Sequence, residues 1–382
     1  MHLSYSNLTA LVNEALALSF LAHLESSDGS RRVAPPTYAP ERKGDPSRYL
    51  ITPTGEVRLD SPQSFANRLE EVIADEGLTP SFDIVDDQGE ILINSRQLPH
   101  RVFDAALRDS NLDGQPFFKS TLGVRLREAR PAAATDLFLH SPESLLFGVW
   151  DSHTGGGGQV LRLARAVTAR IYGTGAVERP GAAQKSDPLN ITKDAGDVFL
   201  DENGQLTTDP ALASKDAKGK IKAKKPSDLG HGSVPASAGK DGVDVDDIVL
   251  QGALHLGVLG KYGFPGDDGQ RSTERDIAVR AALAALGLWA VQTVATRKLY
   301  LRSGCDLIYR DIAWLARFGG GRVEALEFTA DGPKTVLNEA LKVAADLGLS
   351  WQTRPVVLSA GSGLLKVIEA SQAGHGGEED GE

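Results

Sequence analysis

The sequence predicts an α+β protein, and three observations lead there. Short runs rich in β-branched and aromatic residues recur at 49–59, 82–93, 145–150, 299–308, 323–328 and 356–358, as strands do. Between them lie segments of helical periodicity, clearest at 61–74, 273–296 and 334–347. From Gly173 to about Val245 the hydrophobic density collapses, so a long insertion without a core of its own interrupts the folded body.

The stretch 144–172, SLLFGVWDSHTGGGGQVLRLARAVTARIY, organises the rest. The run Leu145, Leu146, Phe147, Gly148, Val149, Trp150 reads as a buried strand. Asp151, Ser152, His153 and Gly155 to Gly158 break it, and a helix is expected to follow. At 100° per residue Val160, Leu163, Ala164, Val167 and Ile171 fall together, Arg162 and Arg165 point the opposite way, and Arg170 sits at the margin. A turn feeding a helix start beside cations favours anions, because unpaired N–H groups and the helix dipole meet there. No Gly-Lys-Ser/Thr follows the glycines, which excludes a Walker A loop, and the spacing is not the dinucleotide fingerprint. A surface loop beside solvated arginines is the plainer alternative.

The 382 residues suffice for one large domain with insertions or for two domains. With 41% hydrophobic and 24% charged residues the composition is that of a soluble globular protein, while 41 glycines and 19 prolines promise irregular connections. The single cysteine, Cys305, rules out an internal disulfide and a cysteine-based zinc site, and suits a reducing cytoplasm. It is expected to pack as a small apolar group. A net charge of -10 argues against a uniformly basic surface, though not against a local basic groove. Leu8 to Leu24 reads as an amphipathic helix interrupted by Asn13, Glu14 and His23, neither a signal peptide nor a membrane span.

Glu25 to Pro46 reads as a connector and Tyr49 to Leu59 as one strand, or two around Pro53-Thr54-Gly55. Ser61-Pro62 then opens a helix with Ser at the N-cap and Pro at the first position. Phe65, Leu69, Val72 and Ile73 make its buried face. Gln63, Ser64, Asn67 and Arg68 place hydrogen-bonding groups near the helix start, a second anion-friendly place or a solvated face. Phe82 to Ile93 is strand material around an Asp87-Gln88-Gly89 turn. Leu98 to Asp109 reads as a helix presenting His100, Arg101 and Arg108, with His100 a general base or a structural histidine. In the insertion, Asn203-Gly204 marks a hairpin, and Lys215, Lys218, Lys220, Lys222, Lys224 and Lys225 form a basic cluster, suited to phosphates or simply solvated. The segment 249–264 is strand or helix, and after Val356 to Leu358 the chain frays into a Gly- and Glu-rich tail.

Seven separated motifs carry a resemblance. DSPQSFANRLEEV, LPHRVFDAALRDSNLDGQPF, LLFGVWDSH, LRLARAVTARI, DPLNI, GHGSVP and LYLRSGCDLI, in that order, resemble the backbone subunit of the type I-G CRISPR interference complex (formerly type I-U), a member of the RAMP superfamily. The likeness extends from about Pro35 to Ile308 and is weaker in the N-terminal forty residues and beyond Phe318.

The resemblance implies a palm on a modified RRM-like (ferredoxin-like) βαββαβ core with finger insertions and an extended thumb hairpin. It divides the chain into an N-terminal helix and connector (1–46), the first part of the palm with fingers (47–186), a basic thumb (187–245), the rest of the palm (246–370) and a disordered acidic tail (371–382). It implies a non-catalytic, cytoplasmic subunit of an antiviral Cascade ribonucleoprotein. Copies of it stack into a helical filament along CRISPR RNA, grip the sugar-phosphate backbone and leave bases free for the target DNA strand. The other partners it implies are the large subunit and the subunit that caps and processes the guide end. No metal, no cofactor and no membrane enter.

The expected RNA-binding residues are Gln63, Ser64, Asn67, Arg68, His100, Arg101, Ser152, His153, Arg162, Arg165, Arg170, Lys222, Lys224, Lys225 and His231. Neither stacking aromatics on the sheet nor an RNP1-like motif is evident, so backbone gripping is expected over base stacking. Two alternatives stand beside this reading: a metal-dependent RNA endonuclease of the related type III kind, and a scaffold without nucleic acid. Adjacent Asp151, Ser152 and His153 cannot form a triad among themselves.

Overall fold

A computed structural model describes residues 1–39, 42, 48–151, 161–181, 186–216, 219–233, 239–352 and 354–374. Ser4 caps the first helix, α1 (Tyr5–Glu14), by accepting from the Asn7 N–H. The chain then turns at once into strand β1 (Ala17–Ser26). The continuous helix expected over 8–24 therefore stops at Glu14. Leu18, Phe20, Ala22 and Leu24 are buried while the residues between them are less so, a period of two that only a strand satisfies.

Strand β2 (Val57–Asp60) leads into α2 (Pro62–Asp75). Here local chemistry settles the structure: the Ser61 hydroxyl accepts from the Ser64 N–H at 3.2 Å, Pro62 occupies the first turn, and Phe65, Leu69, Val72 and Ile73 are buried as expected.

The stretch 144–172 departs most from expectation. Leu145, Leu146 and Phe147 belong to a short helix, Pro142–Phe147, whose carboxyl end is turned by Gly148 at φ 77°. Only β3 (Val149–Trp150) is extended, and it pairs with β4 (Arg162–Leu163). The expected helix after the glycines is instead β4 followed by β5 (Val167–Thr174). In β5 Val167, Ala169, Ile171 and Gly173 are buried, and Thr168, Arg170, Tyr172 and Thr174 alternate with them. Among the described residues no helix starts at Arg162 or Arg165, which lie on and just after β4, so the dipole argument for an anion site there loses its helix.

Strand β6 (Asp247–Leu254) resolves the ambiguity after Val249 in favour of a strand, followed by one helical turn at Leu256–Leu259. The helix α3 (Thr273–Thr296) has the bounds its sequence predicts. It is long and apolar enough to cross a membrane by composition, yet 78% of its apolar window is buried inside the protein, as a core helix is. Strands β7 (Leu299–Arg302), β8 (Cys305–Arg317) and β9 (Val323–Leu326) and helix α4 (Gly332–Asp346) follow. Cys305 is buried, and burial pushes its thiol up to about 11. In place of fraying, the chain closes with α5 (Ser362–Gly374), so part of the expected tail is helical. Residues 375–382 lie outside the described residues.

The main sheet runs β7-β8-β1-β6-β5-β2, with β9 on β8. All pairs are antiparallel. Following β1, α2, β5, β6, α3 and β8 along the chain traces a β-α-β-β-α-β path whose four strands stand in the order β8-β1-β6-β5. The register puts Phe20 opposite Trp314 and Ala22 opposite Leu250 and Ile312, all facing α3, which packs against α1, α2 and α4. A smaller sheet joins Ile91–Asn94, Phe82–Val85, Val356–Ala360, Ser110–Leu112 and Gln115–Pro116, and only the strand Val356–Ala360 pairs in parallel, with Phe82–Val85. The helix expected over 98–109 is two short pieces, Arg101–Phe103 and Ala105–Arg108, the second capped by Asp104. Within the expected connector, Arg32–Val33 pairs with Val243–Asp244.

The insertion leaves and returns on an antiparallel pair, Val177–Gly181 with Gly239–Asp244. Inside it, Phe199–Leu200 and Leu206–Thr207 form the expected hairpin, with Gly204 at φ 72°.

Candidate nucleic-acid interface

The start of α2, the turn at 98–101 and the strand β4 with the residues after it meet at one cleft of about 640 Å³. Six of the residues singled out from the sequence line it: Gln63, Asn67, His100, Arg101, Arg162 and Arg165. Its floor is Phe103, Phe147 and Leu163, and Trp150 stands at its edge.

Each polar wall is positioned by a specific contact. Arg101 holds a positive φ of 55° and is fixed by the Glu70 carboxylate, with Nε donating to Oε1 at 2.5 Å and Nη2 to Oε2 at 2.8 Å. Its Nη1 also donates to the Gly148 carbonyl at 2.8 Å. Arg165 donates from Nε to the Phe147 carbonyl at 3.2 Å and from Nη2 to Gln63 Oε1, joining the two walls. The Gln63 amide in turn donates to Asn67 Oδ1 at 3.1 Å.

Burial first, then the like charge of Arg101, draws the Arg165 guanidinium below its ordinary pKa, while Glu70 opposes the shift. Two guanidiniums close enough to disfavour each other, one of them already neutralised by Glu70, leave the cleft short of negative charge. His100 and Arg162 are exposed on the same lining. A groove so made suits an anion, and the amides of Gln63 and Asn67, linked to each other and to Arg165, line its wall.

The other expected residues lie elsewhere. Arg68 turns away from the cleft: its Nε donates to Asp60 Oδ2 at 3.0 Å and its Nη1 to the Tyr300 carbonyl at 3.3 Å, and Asp60 is 2% exposed. It is therefore a structural cation tying α2 to β2 and β7. Ser64 gives its N–H to the Ser61 cap, so that part of the helix start is already satisfied. Ser152 and His153 lie outside the described residues.

Arg170 sits on the face of the sheet away from α3, its guanidinium 4.5 Å from the Tyr172 ring centroid and 3.7 Å from Glu56. Tyr172 donates to Gln251 Oε1 at 3.1 Å and stands opposite Arg58. An aromatic residue on this open face is a feature the helical reading of 160–171 hid, although the alternation Val-Thr-Ala-Arg-Ile-Tyr-Gly-Thr was visible. Lys222, Lys224, Lys225 and His231 are in the insertion. Lys225 pairs with Asp197 at 2.6 Å, Lys224 bonds through its backbone to Val198, and the His231 N–H donates to the Pro226 carbonyl. Among the described residues no group of three or more His, Cys, Asp or Glu side chains is placed to hold a metal ion.

Trp150 was expected in the core and is 65% exposed. The pairing explains it: Val149 opposite Leu163 faces inward, so Trp150 opposite Arg162 must face out.

The fold is thus a mixed α+β body with a β-α-β-β-α-β sheet, and the site is a cation-lined groove at its side. A family model described as CRISPR-associated protein GSU0053 matches residues 18–178, less than half of the chain but including all of β1 after Ala17, β2 to β5 and every residue of the cleft. Over that part the chain is similar to a CRISPR-associated protein family. No curated protein matches the chain.

Proposed function

We propose that this chain is a non-catalytic, RNA-binding backbone subunit of a type I-G CRISPR interference complex. It holds the sugar-phosphate backbone of the guide and leaves the bases to pair with target DNA. The observation that carries this reading is the cleft between α2 and β4. Residues from three separate segments converge there, and beside the Glu70-paired Arg101 the cleft carries the further cations Arg162, which is exposed, and Arg165. The match of residues 18–178 to a CRISPR-associated family supports it. So does the β-α-β-β-α-β sheet, which serves as the palm in this reading. The segment 187–245, reached from Val177–Gly181 and closed by its antiparallel pairing with Gly239–Asp244, serves as the thumb.

In this reading further copies of the chain stack head to tail along the guide, since a heterologous contact that does not close makes a helical array. The large subunit and the guide-end subunit complete the complex. Phosphate contacts position the strand, and base pairing supplies the specificity.

The test is to purify the tagged chain from cells expressing its CRISPR array, at moderate salt with nuclease treatment, and to sequence the nucleic acid that copurifies. Guide RNAs of uniform length, protected along the spacer, are the expected result. Absence of RNA, or RNA of random origin, overturns the proposal and returns the weight to a scaffold without nucleic acid.

A further inference from the structure

Trp150 and Arg162 are directly opposed across the short β3–β4 pair. Opposed side chains on one face of an antiparallel pair stand with their Cβ atoms about 5 Å apart, so an indole and a guanidinium share the edge of the cleft. The partner positions Val149 and Leu163 are 7% and 6% exposed, which pins the register and holds the indole outward. Of the four tryptophans, Trp289 and Trp314 are 7% and 3% exposed and Trp351 is only partly exposed, whereas Trp150 is 65% exposed. Tryptophan has a large apolar face whose exposure to water is unfavourable. Its neighbours in the lining, Gln63, Asn67, His100 and Arg162, are polar or cationic. That combination of an open ring, flanking cations and amides does not suit an apolar partner, but it does suit a strand that alternates flat rings with anions.

We infer that Trp150 is a stacking platform for one unpaired nucleobase of a single-stranded nucleic acid, with Arg162 beside it for the adjoining phosphate. The inference rests on the reading of the cleft as a guide-binding groove, and it adds a base contact where that reading has only backbone contacts. Stacking is indifferent to base identity, because every base has a π face. The contact therefore leaves the guide sequence unread and fixes which nucleotide of each register is turned toward the protein.

The experiment compares binding of the full chain to single-stranded oligouridine and to an oligomer of the same length made of abasic ribose phosphates. Both carry the same charge and differ only in the rings. The wild type is expected to prefer oligouridine by roughly 5- to 150-fold, the range for one stacked base, with quenching of tryptophan fluorescence by oligouridine alone. Trp150→Phe keeps most of the preference. Trp150→Ala abolishes it, binding both oligomers as the wild type binds the abasic one, with an unchanged melting temperature because the side chain is at the surface. If Trp150→Ala prefers oligouridine as strongly as the wild type does, the stacking inference is overturned and the guide-binding reading stands. If the wild type binds neither oligomer at low salt, the guide-binding reading fails and this inference fails with it.

Discussion

Glu70 and Arg101 form a two-pronged ion pair, at 2.5 and 2.8 Å, with side chains only 18% and 11% exposed. The pair ties α2 to the turn at 98–101, and through Gly148 to β3, so it holds together the walls of the cleft. Burial raises the pKa of the Glu70 carboxyl, and Arg101 acts against that rise. Removing one partner strands the other as an uncompensated buried charge. Arg101→Ala is expected to cost about 3–5 kcal/mol in urea unfolding. The neutral pair Glu70→Gln with Arg101→Met should recover most of it, and an equal loss in single and double variants would speak against the pairing.

Arg68 and Arg162 separate structure from binding. Arg68→Ala leaves Asp60 buried without its ion-pair partner and should lower stability by about 3 kcal/mol. The salt dependence of RNA binding by the folded fraction should stay the same. Arg162→Ala should leave stability within about 0.5 kcal/mol, as surface changes do. It should reduce the slope of log Kobs against log salt by roughly 0.7, the value for one phosphate on a single strand. Titrations at several salt concentrations check both, and a reversed assignment of the two effects would refute the placement of Arg68 outside the groove.

Glu143 makes stability depend on pH. It shares a separate small cavity with Glu70 and Arg101, Thr79 donates to its carboxylate, and burial pushes its pKa up to about 7. Its folded pKa exceeds the unfolded value near 4.5, so the neutral acid is the form the fold prefers. The associated stability is full below about pH 4.5, declines as pH rises to 7, and is absent above that, a swing on the order of 3 kcal/mol. Glu143→Gln keeps an acceptor for Thr79 and removes the charge. The variant should be more stable than the wild type at pH 8 and should lack this part of the slope; denaturant unfolding at pH 5 and pH 8 measures it.

Gly252 is needed in the middle of β6. A Cβ there would lie 2.5 Å from both Ala169 Cβ and Phe20 Cζ, and would also strike the Thr168 carbonyl. Gly252→Ala should cost about 1–3 kcal/mol through forced strand displacement, read as a lowered melting temperature.

Where the structure depends on neighbours along the chain, the residues announced it. The Ser61 cap and the four buried positions of α2, the all-round apolar α3, the Asn203-Gly204 turn and burial of Cys305 follow from hydrogen bonds and packing that a few consecutive residues define. Six of the cleft residues were likewise picked out by type and spacing, because cations and amides near helix and strand ends are recognisable without coordinates. That Arg68 belongs to Asp60 was not, since the partner is eight residues away on another element.

Tertiary structure alone decided the segment 160–174. Its apolar residues satisfy a helical period and, from Val167 on, a period of two, and local propensity does not choose between them. A helix meets its hydrogen bonds internally, whereas a strand needs a partner. Here β6 supplies that partner from residues 247–254, aligning Ile171 with Leu250 and Val167 with Leu254. The same non-local pairing ends α1 at Glu14, because β1 is claimed by β6 and β8 on its two edges. It also turns Trp150 to solvent, because Arg162 opposes it. The sequence by itself determined which residues carry charge and where α2, α3 and α4 form. Long-range strand pairing decided which of those charges share a groove and which ring stands beside them.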